Sequence, residues 1–394
     1  MERRSLLEVR DLETHFFIGK DIYKAVDGVT FTIHEQETLA LVGESGSGKS
    51  VSASSILQIV PDPPGKIVGG EIFFEGENLL ERTDEQMREI RGHSISMIFQ
   101  EPMTSLNPVF RIGDQIAEAI LLHQELTDTE GKPLGKRARK RKAQEQAIEM
   151  LEAVGIPDPA TRVRDYPHQL SGGMRQRVMI AMALVCHPKL IIADEPTSAL
   201  DVTIQAQILR LLRQMQDEFH TAILLITHDF GVVAENADSV GVMYAGQIVE
   251  TAPVDAIFAH PAHPYAQGLL LSIPRLDQQG QELYVIKGVV PNAARYPSGC
   301  RFAPRCPVCQ QRCREEMPLL RELEPGHFVR CHFAESGGNA TVQAAAAPNS
   351  GAGLALCSAE NETTGSFSGR SALGSSRPTH ESELTAKDEG SRDA

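Results

Sequence analysis

Lys49 and Ser50 close the octet Gly43-Glu44-Ser45-Gly46-Ser47-Gly48-Lys49-Ser50. The spacing fits G-x-x-x-x-G-K-[ST], whose chemistry is the binding of a nucleoside triphosphate such as ATP together with Mg²⁺. Gly43, Gly46 and Gly48 carry no Cβ and tolerate positive φ, so successive N–H groups can turn onto phosphate oxygens at a helix N-terminus. Lys49 is then placed to reach the β- and γ-phosphates, and the Ser50 hydroxyl to ligate Mg²⁺. The competing reading is a chance Gly/Ser turn. It loses because residues 38–42 (Thr-Leu-Ala-Leu-Val) read as a buried strand entering the loop and residues 51–60 as a helix leaving it.

Three further apolar runs end in residues suited to the same chemistry. Residues 190–194 (Leu-Ile-Ile-Ala-Asp) read as a central parallel strand, with Asp194 placed to hold Mg²⁺ through water. Glu195 is placed to polarise an attacking water, and Pro196 fixes the turn that presents it. Residues 222–227 end at His228, within reach of a γ-phosphate. Residues 95–99 end at Gln100, whose amide can accept from a metal-bound water and join Ser50 and Asp194 around Mg²⁺. A lone histidine or glutamine is ordinarily structural; these two gain weight because ligands gather at parallel strand ends. Residues 170–174 (Leu-Ser-Gly-Gly-Met) form a second anion site, with Ser171 as N-cap and Gly172 and Gly173 exposing N–H groups at the start of another helix.

The elements that must hold these residues follow from periodicity. Residues 6–17 and 25–33 alternate as strands of an antiparallel layer, and residues 70–76 add another. Tyr23, near the connecting loop, is placed to stack on adenine, with Phe17 as the alternative and ordinary strand packing as the competing reading for both. Helical spacing runs from 109 to about 184. Within it the basic run 136–142 (Lys-Arg-Ala-Arg-Lys-Arg-Lys) has no interleaved aromatics and reads as a solvated helix face. A long amphipathic helix opens at 198–201 and ends near 218, and 240–250 closes the core as a hairpin.

At 394 residues the chain is long enough for two domains plus appendages. It has no Trp and a net charge of −14, which disfavours single-strand stacking platforms and non-specific binding to nucleic acid or anionic lipid. No apolar run reaches membrane-spanning length and the start lacks a secretory core, so the expectation is an intracellular protein unless a partner carries it to a membrane. Of seven cysteines, five (Cys300, Cys306, Cys309, Cys313, Cys331) share one short segment, which reads as a metal or cluster site before disulfides. Four thiolates there suit iron–sulfur or Zn²⁺.

In this order and spacing, the octet, Gln100, residues 170–174, 190–195, 198–201 and His228 resemble an ATP-binding cassette over roughly residues 5–255. The resemblance implies an α/β P-loop NTPase fold, with a RecA-like parallel core, an antiparallel β layer and a helical subdomain. It also implies a head-to-tail pair in which each ATP lies between one subunit's phosphate loop and the other's Ser171-Gly172-Gly173. Glu195, His228 and Gln100 would be its catalytic residues, and Tyr23, residues 43–50, Gln100, Asp194 and Ser171 to Gly173 its nucleotide site. One departure is Gln36, where cassettes usually place Gly, which puts the geometry of that turn in question.

Residues 260–274 and the segment Gly-Cys300-Arg-Phe-Ala-Pro-Arg-Cys306-Pro, with Cys313, Pro318, His327 and Cys331, resemble the cysteine-rich extension of oligopeptide and dipeptide importer ATPases. That likeness implies a structural [4Fe-4S] cluster on Cys300, Cys306, Cys313 and Cys331, with Zn²⁺ as the alternative metal and Cys309 as the alternative ligand. His260 and His263, flanked by prolines, read as a structural turn. The implied protein is the ATP-hydrolysing subunit of a di- or oligopeptide importer, peripheral on the cytoplasmic face of the plasma (inner) membrane. Its implied partners are a second ATPase subunit, a paralogue forming a heterodimer, two integral membrane permeases and, through them, an extracytoplasmic solute-binding protein; no nucleic acid is among them. The competing readings are a soluble cassette ATPase acting on nucleic acid or ribosomes, and an importer of nickel or opines. The expected domains are 1–258 for the nucleotide-binding part (helical subdomain about 101–185), 259–334 for the extension and 335–394 for a disordered tail whose composition cannot build a core.

Overall fold

The computed structural model describes residues 4–101, 105–198, 201–273 and 284–335. The tail expected from 335, Cys357, the end of the 260–274 stretch and the middle of the 198–201 turn lie wholly or partly outside them. Alternating apolar residues build two long antiparallel strands, β1 (Ser5–Ile18) and β2 (Asp21–His34), whose buried Leu7, Val9, Val29 and Ile33 face the core. β3 (Thr38–Val42) is buried at every residue and runs into the glycine octet, from which α1 (Lys49–Ile56) leaves. Next come β4 (Gly65–Phe74), the two-residue β5 (Glu77–Asn78), and α2 (Asp84–Ile90), which starts in a Thr83–Gln86 capping box. β6 (Ile95–Ile98) ends the first half.

Helices then take over: α3 (Ile112–His123), α4 (Lys136–Ala153), the single-turn α5 (Pro159–Arg162) and α6 (Gly172–Leu184). They pack around Ile112, Ile116, Ile120, Ala147, Leu151 and Val178, the inward-facing apolar residues of three of these helices. Strand and helix alternate again through β7 (Leu190–Asp194), α7 (Val202–Phe219), β8 (Ala222–Thr227), α8 (Phe230–Asn236), β9 (Ser239–Tyr244) and β10 (Gln247–Pro253). The extension adds α9 (Val254–Ala259), α10 (Pro264–Leu271), α11 (Gln311–Glu315) and the hairpin β11 (Arg321–Glu324) and β12 (His327–Val329).

Two sheets result. One, β2-β1-β4-β5, is the antiparallel layer; the other runs β11-β12-β10-β9-β3-β8-β7-β6. From β9 to β6 the second sheet is parallel, so the ends of β3, β6, β7 and β8 open on one edge. These strands read as unbroken apolar runs because helices or the antiparallel layer cover both faces. The extension hairpin pairs with β10 through Glu250↔Val329 and Thr251↔Phe328, so it prolongs the core sheet.

Two local readings are corrected, and the Gln36 departure is resolved. The helix expected at 51–60 spans Lys49–Ile56, because Gln58 turns left-handed at φ 51° and ends it. The strand expected at 70–76 begins at Gly65, because the preceding residues also pair with β1. At the turn into β3, Gln36 adopts φ 60°, the left-handed conformation that glycine would take freely. The turn is therefore retained, with side-chain strain at one position.

Candidate functional site

The octet forms a loop whose glycines are set by close approach. A Cβ on Gly43 would lie 2.1 Å from the Met243 carbonyl oxygen, and one on Gly48 would lie 2.4 Å from that of Ala25. Gly46 at φ 76° has open space beside it, and Ser45, Gly46 and Ser50 are exposed at the mouth. The loop grips its own lysine: Lys49 Nζ donates to the carbonyls of Gly43 (2.8 Å) and Glu44 (3.1 Å) and to Ser47 Oγ (3.4 Å). Burial pulls the Lys49 ammonium below its ordinary pKa, against the opposing pull of Glu195, Asp194 and Glu44. Ser47 is buried, and its carbonyl accepts from Gly246 N at 2.9 Å, tying the loop to the β9–β10 turn.

The strand ends bring the remaining groups together. Ser50 Oγ donates to Asp194 Oδ1 at 3.0 Å, joining the two oxygens expected to share a metal. Burial raises the Asp194 pKa and Glu195 adds to the rise, while Ser50 and Lys49 oppose it. A divalent cation beside these oxygens would remove that penalty. Glu195 sits at φ 45°, held by its N–H donating to Ile226 O at 2.9 Å, and its carboxylate is spanned from two sides. Gln100 Nε2 donates to Glu195 Oε2 at 3.0 Å, and His228 Nδ1 lies 3.4 Å from Glu195 Oε1. Such an arrangement fixes a carboxylate beside a phosphate loop, where it can orient water.

Residues 171–173 occupy another place. Ser171 Oγ caps α6 by accepting from Met174 N at 3.3 Å, and a Cβ on Gly173 would sit 3.0 Å from Ile204. Among the described residues no hydrogen bond joins them to the phosphate loop. Further along α6, Gln176 Nε2 donates to Pro196 O at 2.6 Å, linking that helix to the turn after Glu195. Across β1 and β2, Tyr23 is half-buried opposite Phe16, and Phe17, 45% exposed, lies opposite Ile22.

Two residues hold the site from the extension, and a third, Glu250 on β10, ties the extension to the core sheet. Arg305 Nη1 reaches both Glu44 carboxylate oxygens, at 3.0 and 3.1 Å, and the Tyr265 hydroxyl accepts from Glu44 N at 2.9 Å. Glu250, fully buried, accepts from Ala262 N (2.7 Å), His263 N (2.8 Å) and His327 Nε2 (2.8 Å). His263 is also buried, and its Nδ1 accepts from Tyr265 N at 3.0 Å as the N-cap of α10. Nothing in the local sequence pattern marks Arg305, Tyr265 or Glu250, since their partners lie elsewhere in the chain.

Cys300, Cys306, Cys313 and Cys331 are free thiols, and Cys300 N donates to Cys313 O at 2.7 Å. Burial pushes the Cys300 thiol up to about 11, and charge on Cys313 or Cys331 adds to the rise. Cys306 and Cys331 are raised in the same way, Cys306 by all three of the others. Cys309 Sγ donates to Gln310 O at 3.6 Å. Among the described residues, one group of three or more His, Cys, Asp or Glu ligand atoms lies within 4.8 Å of one another: Glu13, His15 and Asp27. Arg301 and Lys24 already pair with Asp27, so that group is an ion-pair knot.

Comparison with known proteins agrees with this geometry. A family model described as ABC transporter matches residues 26–198, and one described as oligopeptide/dipeptide transporter, C-terminal region, matches 249–313. A probable peptide ABC transporter ATP-binding protein, y4tR of Sinorhizobium fredii, is 53% identical over 327 residues, covering 83% of this chain and 94% of its own. Oligopeptide transport ATP-binding protein AppD of Bacillus subtilis is 52% identical, covering 85% and 98%. Dipeptide transport ATP-binding protein DppD of Escherichia coli is 47% identical, covering 84% and 97%. A solved dimeric bacterial ABC transporter cassette aligns over 63% of this chain and 98% of its own, at TM-score 0.54 and 25% identity. With the phosphate loop, the Glu195 clamp and a C-terminal extension of the matching type in one chain, the protein belongs to the ABC transporter ATPases of the oligopeptide/dipeptide branch.

Proposed function

We propose that the chain binds and hydrolyses ATP to power the import of di- or oligopeptides through separate membrane subunits. The observation that carries the reading is the Glu195 carboxylate, held by Gln100 and His228 at the strand edge that also presents Lys49, Ser50 and Asp194. Phosphoryl transfer to water needs mainly positioning and charge stabilisation. The loop amides and Lys49 would hold the β- and γ-phosphates, Ser50 and Asp194 would hold Mg²⁺ with Gln100 on its water, and Glu195 would orient the attacking water. Mg²⁺, when bound, supplies charge neutralisation between the phosphates. Tyr23, with Phe17 as the alternative, stacks on adenine.

Ser171, Gly172 and Gly173 serve a second ATPase subunit's nucleotide, which explains an open helix N-terminus without a phosphate loop beside it. The pair works under two permeases fed by an extracytoplasmic binding protein, with this subunit peripheral on the cytoplasmic face. Residues 1–258 form the nucleotide-binding part and 259–334 the extension. The peptide assignment is supported by the names of relatives that align over nearly their whole length.

Cys300, Cys306, Cys313 and Cys331, with Cys309 as the alternative ligand, would hold a [4Fe-4S] cluster, with Zn²⁺ as the alternative metal. Its contribution would be structural, cross-linking a segment with little core of its own. Iron and acid-labile sulfide in stoichiometric amounts in anaerobically purified protein support this; zinc without sulfide overturns it.

The direct test of function is Glu195→Gln in the assembled complex. ATP binding should persist while turnover and peptide uptake fall by at least about 10²-fold. Undiminished hydrolysis would remove Glu195 from the mechanism, and hydrolysis unresponsive to peptide and binding protein would remove the solute assignment.

A further inference from the structure

Glu44 is an odd residue to find in a loop built to receive a triphosphate. Its carboxylate brings negative charge to the place where negative charge must bind, and only its backbone is needed for the octet's turn. In the structure all three of its polar groups are engaged. Its carbonyl accepts from Lys49 Nζ, its N–H donates to the buried Tyr265 hydroxyl, and its carboxylate meets Arg305 Nη1 at both oxygens. The Arg305 side chain is 4% exposed. It is fixed from behind by Nε donating to Lys287 O at 3.1 Å and Nη2 donating to Ile286 O at 3.3 Å. The contact spans 261 residues of sequence and joins the cassette to the cysteine-rich extension.

We propose that Arg305 is a positioning residue of the ATP site: it neutralises Glu44 and holds it aside, so that the phosphate loop accepts ATP only when the extension is in place. The chemistry is an ion pair with one partner desolvated, in which removing the arginine leaves the carboxylate uncompensated beside incoming phosphates. Arg305 directly precedes Cys306 in the turn that delivers a thiol to the cysteine set, so whatever orders that set also orders the guanidinium. The extension is thereby a brace on the nucleotide loop, with a reach that the Cα path alone does not suggest. The inference rests on the ATP site and is independent of which solute is transported.

The test reads Mg-ATP affinity directly, by equilibrium binding to the full chain purified anaerobically, and separately reads KM and kcat in the assembled complex. Arg305→Met should weaken ATP binding about tenfold or more and raise KM, with kcat changed less than threefold. Arg305→Lys should recover part of the affinity, since it restores the charge without the planar head. The decisive variant is Glu44→Gln with Arg305→Met: removing the stranded carboxylate should bring affinity back to within about threefold of wild type. A purely structural arginine would leave the double variant as weak as Arg305→Met, or would lower kcat and thermal stability together, and either result overturns the proposal. Unchanged affinity in Arg305→Met overturns it as well. Loss of ATP binding in the wild-type chain would instead sink the ATPase reading itself, so the two failures are distinguishable.

Discussion

Glu250→Ala tests the seam between cassette and extension. The Glu250 carboxylate lies on β10 at 0% exposure and has three donors aimed at it, from Ala262 N, His263 N and His327 Nε2. All three belong to the extension, so truncation removes one acceptor group and strands three buried donors. Each stranded donor costs roughly 1–3 kcal/mol, and water entering the space left by the missing methylene and carboxylate would satisfy part of the loss, giving about 4 kcal/mol in total. Glu250→Gln keeps one carbonyl oxygen but turns an NH2 toward donors, and should cost about 2–3 kcal/mol. The cost falls on the seam, because β3, β7 and β8 keep all their pairing. Native-state hydrogen exchange should therefore show protection falling first at residues 262–271 and 327–330, with the parallel strands exchanging as before. A loss below about 1 kcal/mol in urea, with protection at 262–271 unchanged, would refute the assignment of Glu250 as the pin.

Other outcomes follow from single positions. Gln36→Gly relieves a left-handed side-chain residue at φ 60° and should stabilise the chain by about 0.5–1 kcal/mol in urea titration; destabilisation would mean that the Gln36 side chain contributes more than its strain costs. Gly43→Ala places a Cβ 2.1 Å from a backbone oxygen and should abolish ATP binding while lowering stability by more than about 2 kcal/mol, read by calorimetry. His263 is held neutral, its pKa pulled down by burial to about 3. The unfolded chain takes up this proton near pH 6.5 and the folded one does not, so stability is lost as pH falls from about 6.5 toward 3, by up to roughly 1.4 kcal/mol per pH unit. His263→Asn keeps an N-cap acceptor without the titration, and wild type minus variant should show that slope in urea midpoints between pH 7.5 and 5; a flat difference refutes it.

What was readable in the sequence is what depends on neighbours along the chain. The runs at 38–42, 190–194 and 222–227 match β3, β7 and β8 because strands covered on both faces have no polar side to interrupt them. Ser171 was legible as a cap because its partner is three residues away. The basic run 136–142 lies at the start of α4, where Arg139 and Lys142 donate to the carbonyls of Leu121 and Thr127, a use of charge that composition does not announce. The end of α1 was misjudged because a left-handed glutamine carries no mark in the pattern. Arg305, Tyr265 and Glu250 were illegible for a further reason: each acts on a segment brought to it only when the sheet closes.

The same contrast bears on how the chain divides its work. Lys49 Nζ is held by the carbonyls of its own loop, and the Glu195 carboxylate is held by Gln100. On the proposed pairing these groups form one half of the reaction chamber, joined to the extension through the Glu44–Arg305 contact. The start of α6, the other half on the same proposal, is exposed; Ser171 caps its own helix, and Gln176 joins that helix to the turn after Glu195 through Pro196 O. A nucleotide closing against a partner's α6 would press on a helix tied by one hydrogen bond to that partner's own catalytic turn. Cutting the tie with Gln176→Leu should therefore leave ATP binding to the single chain near wild type and reduce cooperativity between the two sites of the pair. Unchanged cooperativity in that variant would place the communication elsewhere.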